Sequence, residues 1–234
     1  RNPDGVGSMV VVSLEPVAPY LERSGFATGT RRVAMSLWPD GVPDAPPEEI
    51  VRTLYEAENR GRADPSGSQD MIGLVYPGVS RLDYDPRVDG GVFPSRIERL
   101  DDPAAEDWLE RVLYLVPVAP RPPAYHPLGE RHLEPAWIRR LGRSGAACFD
   151  AIARRDLAAL GESLNECMRC WAALLPHTVR HPTLTADLEG VLSYYQARYP
   201  GAMYSGCGGG YLLVVSETAV PGGARVVIRR ARIS

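Results

Sequence analysis

The run Met9 to Leu14 is apolar and β-branched apart from Ser13, and it predicts a strand near the start of the chain. Pro46 to Asn59 carries Pro at its head, acids in its first turn and Ile50, Leu54 and Ala57 at helical spacing, so it predicts a helix. Asp64-Pro65-Ser66-Gly67 reads as a turn. The apolar stretch Met71 to Tyr76 follows and stops at Pro77-Gly78. From Asp83 to Asp102 the chain is dense in Gly, Pro and Asp and predicts no more than a short strand at Val92 to Arg99. Leu113 to Val118 predicts a buried strand, and the proline-rich Pro117 to Pro127 a loop.

Beyond Glu134 the period becomes helical. Ile138, Leu141, Ala146, Phe149 and Ile152 share one helix, and Leu157, Leu160, Leu164, Met168, Trp171 and Leu175 share a second that starts with Asp156 as its cap. Thr185 to Arg198 predicts a third helix. Tyr211 to Ser216 and Val226 to Ile233 predict strands on either side of a Pro221-Gly222-Gly223 turn. Grouped helices among strands that pair out of sequence order imply an α+β fold.

Composition narrows the function. A 44% hydrophobic, 24% charged chain is an ordinary globular one. The net charge of −3 lacks the basic footprint of a nucleic-acid binder. No apolar run reaches the ~20 residues of a membrane span, and no graded leader opens the chain, so the expectation is a cytoplasmic protein without membrane or nucleic-acid partners. Arg1 to Ser8 read as a polar tail outside the fold. All 26 basic residues are Arg. Without lysine there is no G-x-x-x-x-G-K phosphate loop, no pyridoxal Schiff base and no protein-kinase fold.

Two segments carry candidate chemistry. Ser205-Gly206-Cys207-Gly208-Gly209-Gly210 has four glycines in five positions ahead of an apolar strand, which lets backbone approach a ligand or fold into a hairpin bend. Gly67-Ser68-Gln69-Asp70 sets a carboxylate just past a turn, and Glu58 sits at the end of the preceding helix. Such a pair suits one general base and one magnesium ligand, although helix caps and solvated faces use the same residues.

Together these segments resemble the GHMP superfamily of small-molecule kinases, and within it the kinases of fucose and of heptose 7-phosphate. The matching features are Tyr55-Glu56-Ala57-Glu58, then Gly67 to Asp70 leading into a Gly-containing apolar strand over Met71 to Val79, then Ser205 to Tyr211. Their order and spacing agree along most of the chain. The resemblance implies a GHMP kinase-like fold. A partial N-terminal lobe of the ribosomal S5 domain 2 type would cover 9–91, and a ferredoxin-like C-terminal lobe 92–234.

It further implies transfer of the ATP γ-phosphoryl group to a sugar or sugar-phosphate hydroxyl. Asp70 takes the place of the catalytic carboxylate and Glu58 that of the Mg2+ ligand. Ser68, Gln69, Gly206, Cys207, Gly208 and Gly209 fall on the substrate side. The phosphate loop corresponds to Gly25, Thr28, Gly29, Thr30, Arg31 and Arg32. There the family's small hydroxyl residues are replaced by Arg31 and Arg32, which pair with phosphate but cannot ligate magnesium. The alternative is a degenerate kinase-like protein that binds a nucleotide, a sugar phosphate or a partner without transfer. A homodimer or a lobe-completing partner would supply the rest of the N-terminal lobe.

Cys167-x-x-Cys170 with His177 and His181 supplies metal-ligand types within fifteen residues, yet the Cys pair falls on an apolar helix and reads as packing. Cys148 and Cys207 read as reduced thiols, and His126 and His132 as surface residues.

Overall fold

The computed structural model describes residues 7–15, 27–63, 65–119, 122, 125–126, 128–184, 186–205 and 210–230, with Thr28 described in its backbone alone. Strand β1 (Gly7–Val12) pairs antiparallel with β2 (Val79–Tyr84), and β2 with β3 (Arg96–Arg99), giving a three-stranded sheet in the order β1-β2-β3. Leu82 stands opposite Met9 on one side and Ile97 on the other. It is fully buried with Ile50, Val51 and Leu54 of α2 (Pro47–Asn59) and Met71 and Ile72 of α3 (Gln69–Val75). Val33 and Ala34 of α1 (Thr28–Leu37) pack against the same cluster.

Three expectations change here. The strand begins at Gly7, inside the segment read as a tail, because Ser8 pairs with Asp83 and its hydroxyl donates to Asp83 Oδ1 at 2.6 Å. Residues 69–75 are helical and the strand starts only at Val79, since a short apolar run suits either state and only burial decides. Helix α4 (Pro103–Val112) was not expected. Its cap Asp102 accepts from the N–H groups of Ala104 and Ala105 at 3.0 and 3.1 Å.

The second sheet is antiparallel in the order β5-β6-β4-β7, from β4 (Leu113–Ala119), β5 (Gly201–Tyr204), β6 (Gly210–Val215) and β7 (Ala224–Arg225). Past β7 the described part of the predicted strand, through Arg230, forms a bridge between Ile228 and Leu14, and residues 231–233 lie outside the described residues. Helices α5 (Pro135–Arg154) and α6 (Leu157–Leu174) bury Phe149, Ile152, Leu160 and Leu164 with Leu113, Leu115 and Val215 of this sheet. A further cluster joins Tyr204, Leu212 and Val214 to Leu188 and Leu192 of α7 (Leu188–Gln196). Among the described residues no helix is long and apolar enough to cross a membrane.

Two of the contacts between the sheets bear on the site. At Gly145 of α5 an added Cβ would lie 2.0 Å from the Ser8 carbonyl oxygen, so helix and strand backbones touch. From the far end of the chain, Arg229 donates its guanidinium to Ser13 Oγ, Leu74 O and Tyr76 O at 2.9, 2.9 and 3.1 Å. Its backbone N–H donates to Ser13 O at 2.8 Å. Gly145→Ala is expected to destabilise the fold by about 1–3 kcal/mol, whereas Gly29→Ala, with open space around it in α1, should be neutral or stabilising by up to about 1 kcal/mol. Thermal denaturation of both variants checks the contrast.

Candidate functional site

A cavity of about 370 Å3 lies between the two sheets, walled by β1, the starts of α1 and α3, the inner faces of α5 and α6, and residues of β4, β5 and β6. It brings together three predicted segments: Arg31 from the phosphate-loop helix, Gln69 and Asp70 from the carboxylate segment, and Ser205 from the head of the glycine loop. Gly206, Cys207, Gly208, Gly209 and Gly25 lie outside the described residues. Thr30 is buried, while Gly29 and Arg32 are exposed and absent from the cavity wall.

α1 follows Ala27, whose φ of 50° turns the chain sharply into the helix and whose side chain supplies no capping hydrogen bond. The first-turn amides of a helix have no intrahelical acceptors, and the axial dipole favours an anion there. Arg31, one turn in, adds a guanidinium to that end of the cavity. This is the chemistry of phosphate binding.

Asp70 stands in the first turn of α3 and on the cavity wall. What holds it there is Ser68, which is fully buried, donates to Val92 O at 2.7 Å and shares a 3.1 Å hydrogen bond with the Tyr84 hydroxyl. Ser68 does not line the cavity. Its hydroxyl fastens the turn before Asp70 to the sheet. Burial raises the Tyr84 phenol above its ordinary pKa, with the Ser68 hydrogen bond opposing and the nearby Asp70 charge adding.

Glu58 ends α2 with its side chain 7% exposed. Its Oε1 accepts from Ser66 Oγ at 3.0 Å and lies 3.6 Å from Arg62 Nη1. Its Oε2 is buried and has no hydrogen-bond partner among the described residues. Ser66 thus links Glu58 to the Asp70 segment, but Glu58 itself is not on the cavity wall. Magnesium takes oxygen ligands from one or two carboxylates together with substrate phosphates. Asp70 stands on the cavity wall and Glu58 off it, so the two carboxylates do not assemble that donor set in the cavity.

The rest of the cavity wall carried no sequence signal. Leu141, Cys148, Leu164, Cys167, Trp171 and Met203 line it, yet along the chain they are indistinguishable from the helix and strand positions that fill the core. Burial pushes the Cys148 thiol up to about 11, so it is a neutral wall group rather than a nucleophile.

The Cys and His pairs do not converge. Cys170 packs 3.8 Å from Glu166 Oε1, whereas His177 Nε2 lies 3.2 Å from Glu130 Oε2 and His181 Nδ1 hydrogen-bonds Thr183 Oγ1 at 2.6 Å. No group of three or more His, Cys, Asp or Glu is placed to hold a metal ion among the described residues. The His181 ring instead stands edge-on to His177, 4.8 Å between centroids. Burial, followed by the charges of His177 and His126, lowers its pKa below the ordinary value of 6.5. The unfolded chain therefore binds a proton at His181 before the folded one does, and stability from this group is lost as pH falls below about 6.5. His181→Asn is expected to flatten the drop in melting temperature between pH 7 and pH 5, and calorimetric scans at both pH values check it.

No family model matches the sequence, and no curated protein does. Solved structures do match in shape. A D-glycero-D-manno-heptose 1-phosphate kinase from Bacteriodes thetaiotaomicron superposes with a TM-score of 0.56 at 16% identity, over 86% of this chain and 55% of that one. A Campylobacter jejuni protein assigned as a sugar kinase gives 0.51 at 14% identity, over 83% and 54%. The chain therefore spans about half the length of the structures it matches. At these identities the likeness establishes architecture alone, an α+β fold shared with these two structures.

Proposed function

We propose that the chain acts as an ATP-dependent small-molecule kinase on a hydroxyl of a sugar or sugar phosphate. The observation that carries this reading is the convergence of Asp70 and Arg31 on one cavity, from the starts of two different helices. The fold supports it, and so do the names of the two matched proteins, a heptose 1-phosphate kinase and a sugar kinase.

In this reading the start of α1 and Arg31 hold the polyphosphate of ATP while Asp70 faces the acceptor hydroxyl. Asp70 accepts the hydroxyl proton as the acceptor oxygen bonds to the γ-phosphorus. The bond from that phosphorus to the β–γ bridging oxygen breaks, and its electron pair leaves with ADP. Glu58, the magnesium ligand that the resemblance implies, lies off the cavity wall, so no step is drawn through a metal. Ser68 acts through position alone, fixing the turn that aims Asp70. Ser205, on the cavity wall, would meet the acceptor.

One observation favours a second reading, nucleotide or sugar-phosphate binding without transfer. Arg31 occupies the cavity at a position where the resembling kinases carry a small hydroxyl residue, and a guanidinium binds phosphate without a metal. Asp70→Asn decides between the two. For a kinase it should lower phosphoryl transfer at least about 100-fold with the melting temperature unchanged, and calorimetry should show ATP binding that requires Mg2+. Metal-independent binding with no transfer in either protein would leave the second reading standing.

A further inference from the structure

All four histidines of the chain stand together, away from the cavity, where the proline-rich loop between β4 and α5 meets the turn that follows α6. His126 and His132 come from the loop, and His177 and His181 from the turn Pro176–Thr178 and the residues just beyond it. Among the described residues the carboxylate that reaches these rings is Glu130, and it reaches two of them. Its Oε1 accepts from His132 Nε2 at 2.7 Å, and its Oε2 lies 3.2 Å from His177 Nε2. The His181 ring stands edge-on to His177 and to Tyr125, 4.8 and 5.1 Å between centroids. The other charged groups on these segments serve elsewhere. Arg131 Nε donates to Leu128 O at 2.8 Å, Arg180 pairs with Glu189 of α7, Asp187 caps α7 at the Gly190 N–H, and Glu134 is exposed at the head of α5.

The cluster fastens the loop to the end of α6. The His132 N–H donates at 2.8 Å to the carbonyl of Leu174, one of the terminal carbonyls that a helix leaves unpaired. The Tyr125 hydroxyl donates to His177 O at 3.1 Å. An ionised carboxylate only accepts hydrogen bonds, so the neutral His177 ring carries its proton on Nε2 and leaves Nδ1 bare. That Nδ1 is buried without a hydrogen-bond partner, and the backbone of Gly129 lies over it, where an added Cβ would fall 3.4 Å away. A proton arriving at Nδ1 would find no acceptor until the loop moved aside and admitted water. The charges act in the same direction. One carboxylate balances one imidazolium, and each further ring that protonates adds a like charge at close range. Burial, then the charges of His177 and His126, lower the His181 pKa.

We infer that the loop between β4 and α5 is held by a proton-operated latch, closed while the four imidazoles are neutral around Glu130 and released when they charge in mild acid. The loop leads directly into α5, whose inner face walls the cavity, so release loosens the seat of that helix. The latch stands apart from the kinase reading and operates with or without phosphoryl transfer.

Hydrogen–deuterium exchange at pH 7 and pH 5, corrected for the intrinsic effect of pH on amide exchange, tests it. The His132 amide and its neighbours in 128–134 should lose at least about tenfold of their protection in acid, as uptake of one net proton on opening requires, while the amides of β6 keep theirs. His177→Asn retains a donor for Glu130 and cannot titrate, so it should cut that loss to less than about threefold. His126→Asn, at an exposed position, should move the release to lower pH and serves as the test where His177→Asn fails to fold. Equal protection of 128–134 at both pH values overturns the latch. So does a loss that β6 shares in full, which is global unfolding, or one that His177→Asn leaves intact.

Discussion

β1 is pressed so closely against α5 that Gly145 has no room for a Cβ, which would fall 2.0 Å from the Ser8 carbonyl oxygen. That contact sets the spacing of the two sheets near one end of β1. The cavity lies alongside this contact, with Ser8 and Gly145 themselves on its wall. Every group proposed to act there is placed relative to this strand. α3, which carries Asp70, is tied to it through Arg229, whose guanidinium reaches both Ser13 and Leu74 O. A glycine and an arginine thus fix where β1 sits against its neighbours.

The charges at the cavity are few and mutually consistent. Arg31 brings a cation that never loses its proton, and Asp70 an anion on the same wall. Arg229 is nearby, pulled below the ordinary arginine range mainly by burial, with Glu15 opposing and Arg31 adding to the shift. Two guanidiniums that sense each other raise the local potential, and that potential favours an anionic occupant.

The parts of the fold legible in the sequence were those with a strong period or a clear cap. α2, α5 and α6 emerge from their apolar stripes, and Asp156 was recognisable as a cap, its side chain accepting from the Ala159 N–H at 3.0 Å. β2 was missed because Arg81 and Asp83 give it a loop-like composition, although Asp83 is buried and paired with both Ser8 and Arg81. α4 was missed despite the Asp102-Pro103 start, because the Gly- and Asp-rich stretch before it masked the signal. In the site, Asp70 and Ser205 stood out through their local motifs. The structural task of Ser68 could not be read, since its partners lie 16 and 24 residues further on. Nor could the cavity wall, because a residue facing a void and one facing a neighbour have the same sequence signature.

The attachment of Arg229 to Ser13 spans 216 positions of the chain. Contacts of that separation carry a large loop-closure cost and form late in folding. During synthesis the first sheet, α5 and α6 can assemble while β1 still lacks its outer anchor. The turn carrying Asp70 then gains its full support only after residue 229 has emerged. Until that moment the pocket lacks one of its anchors, so the competence of the site waits on a residue 216 positions away from the serine it holds.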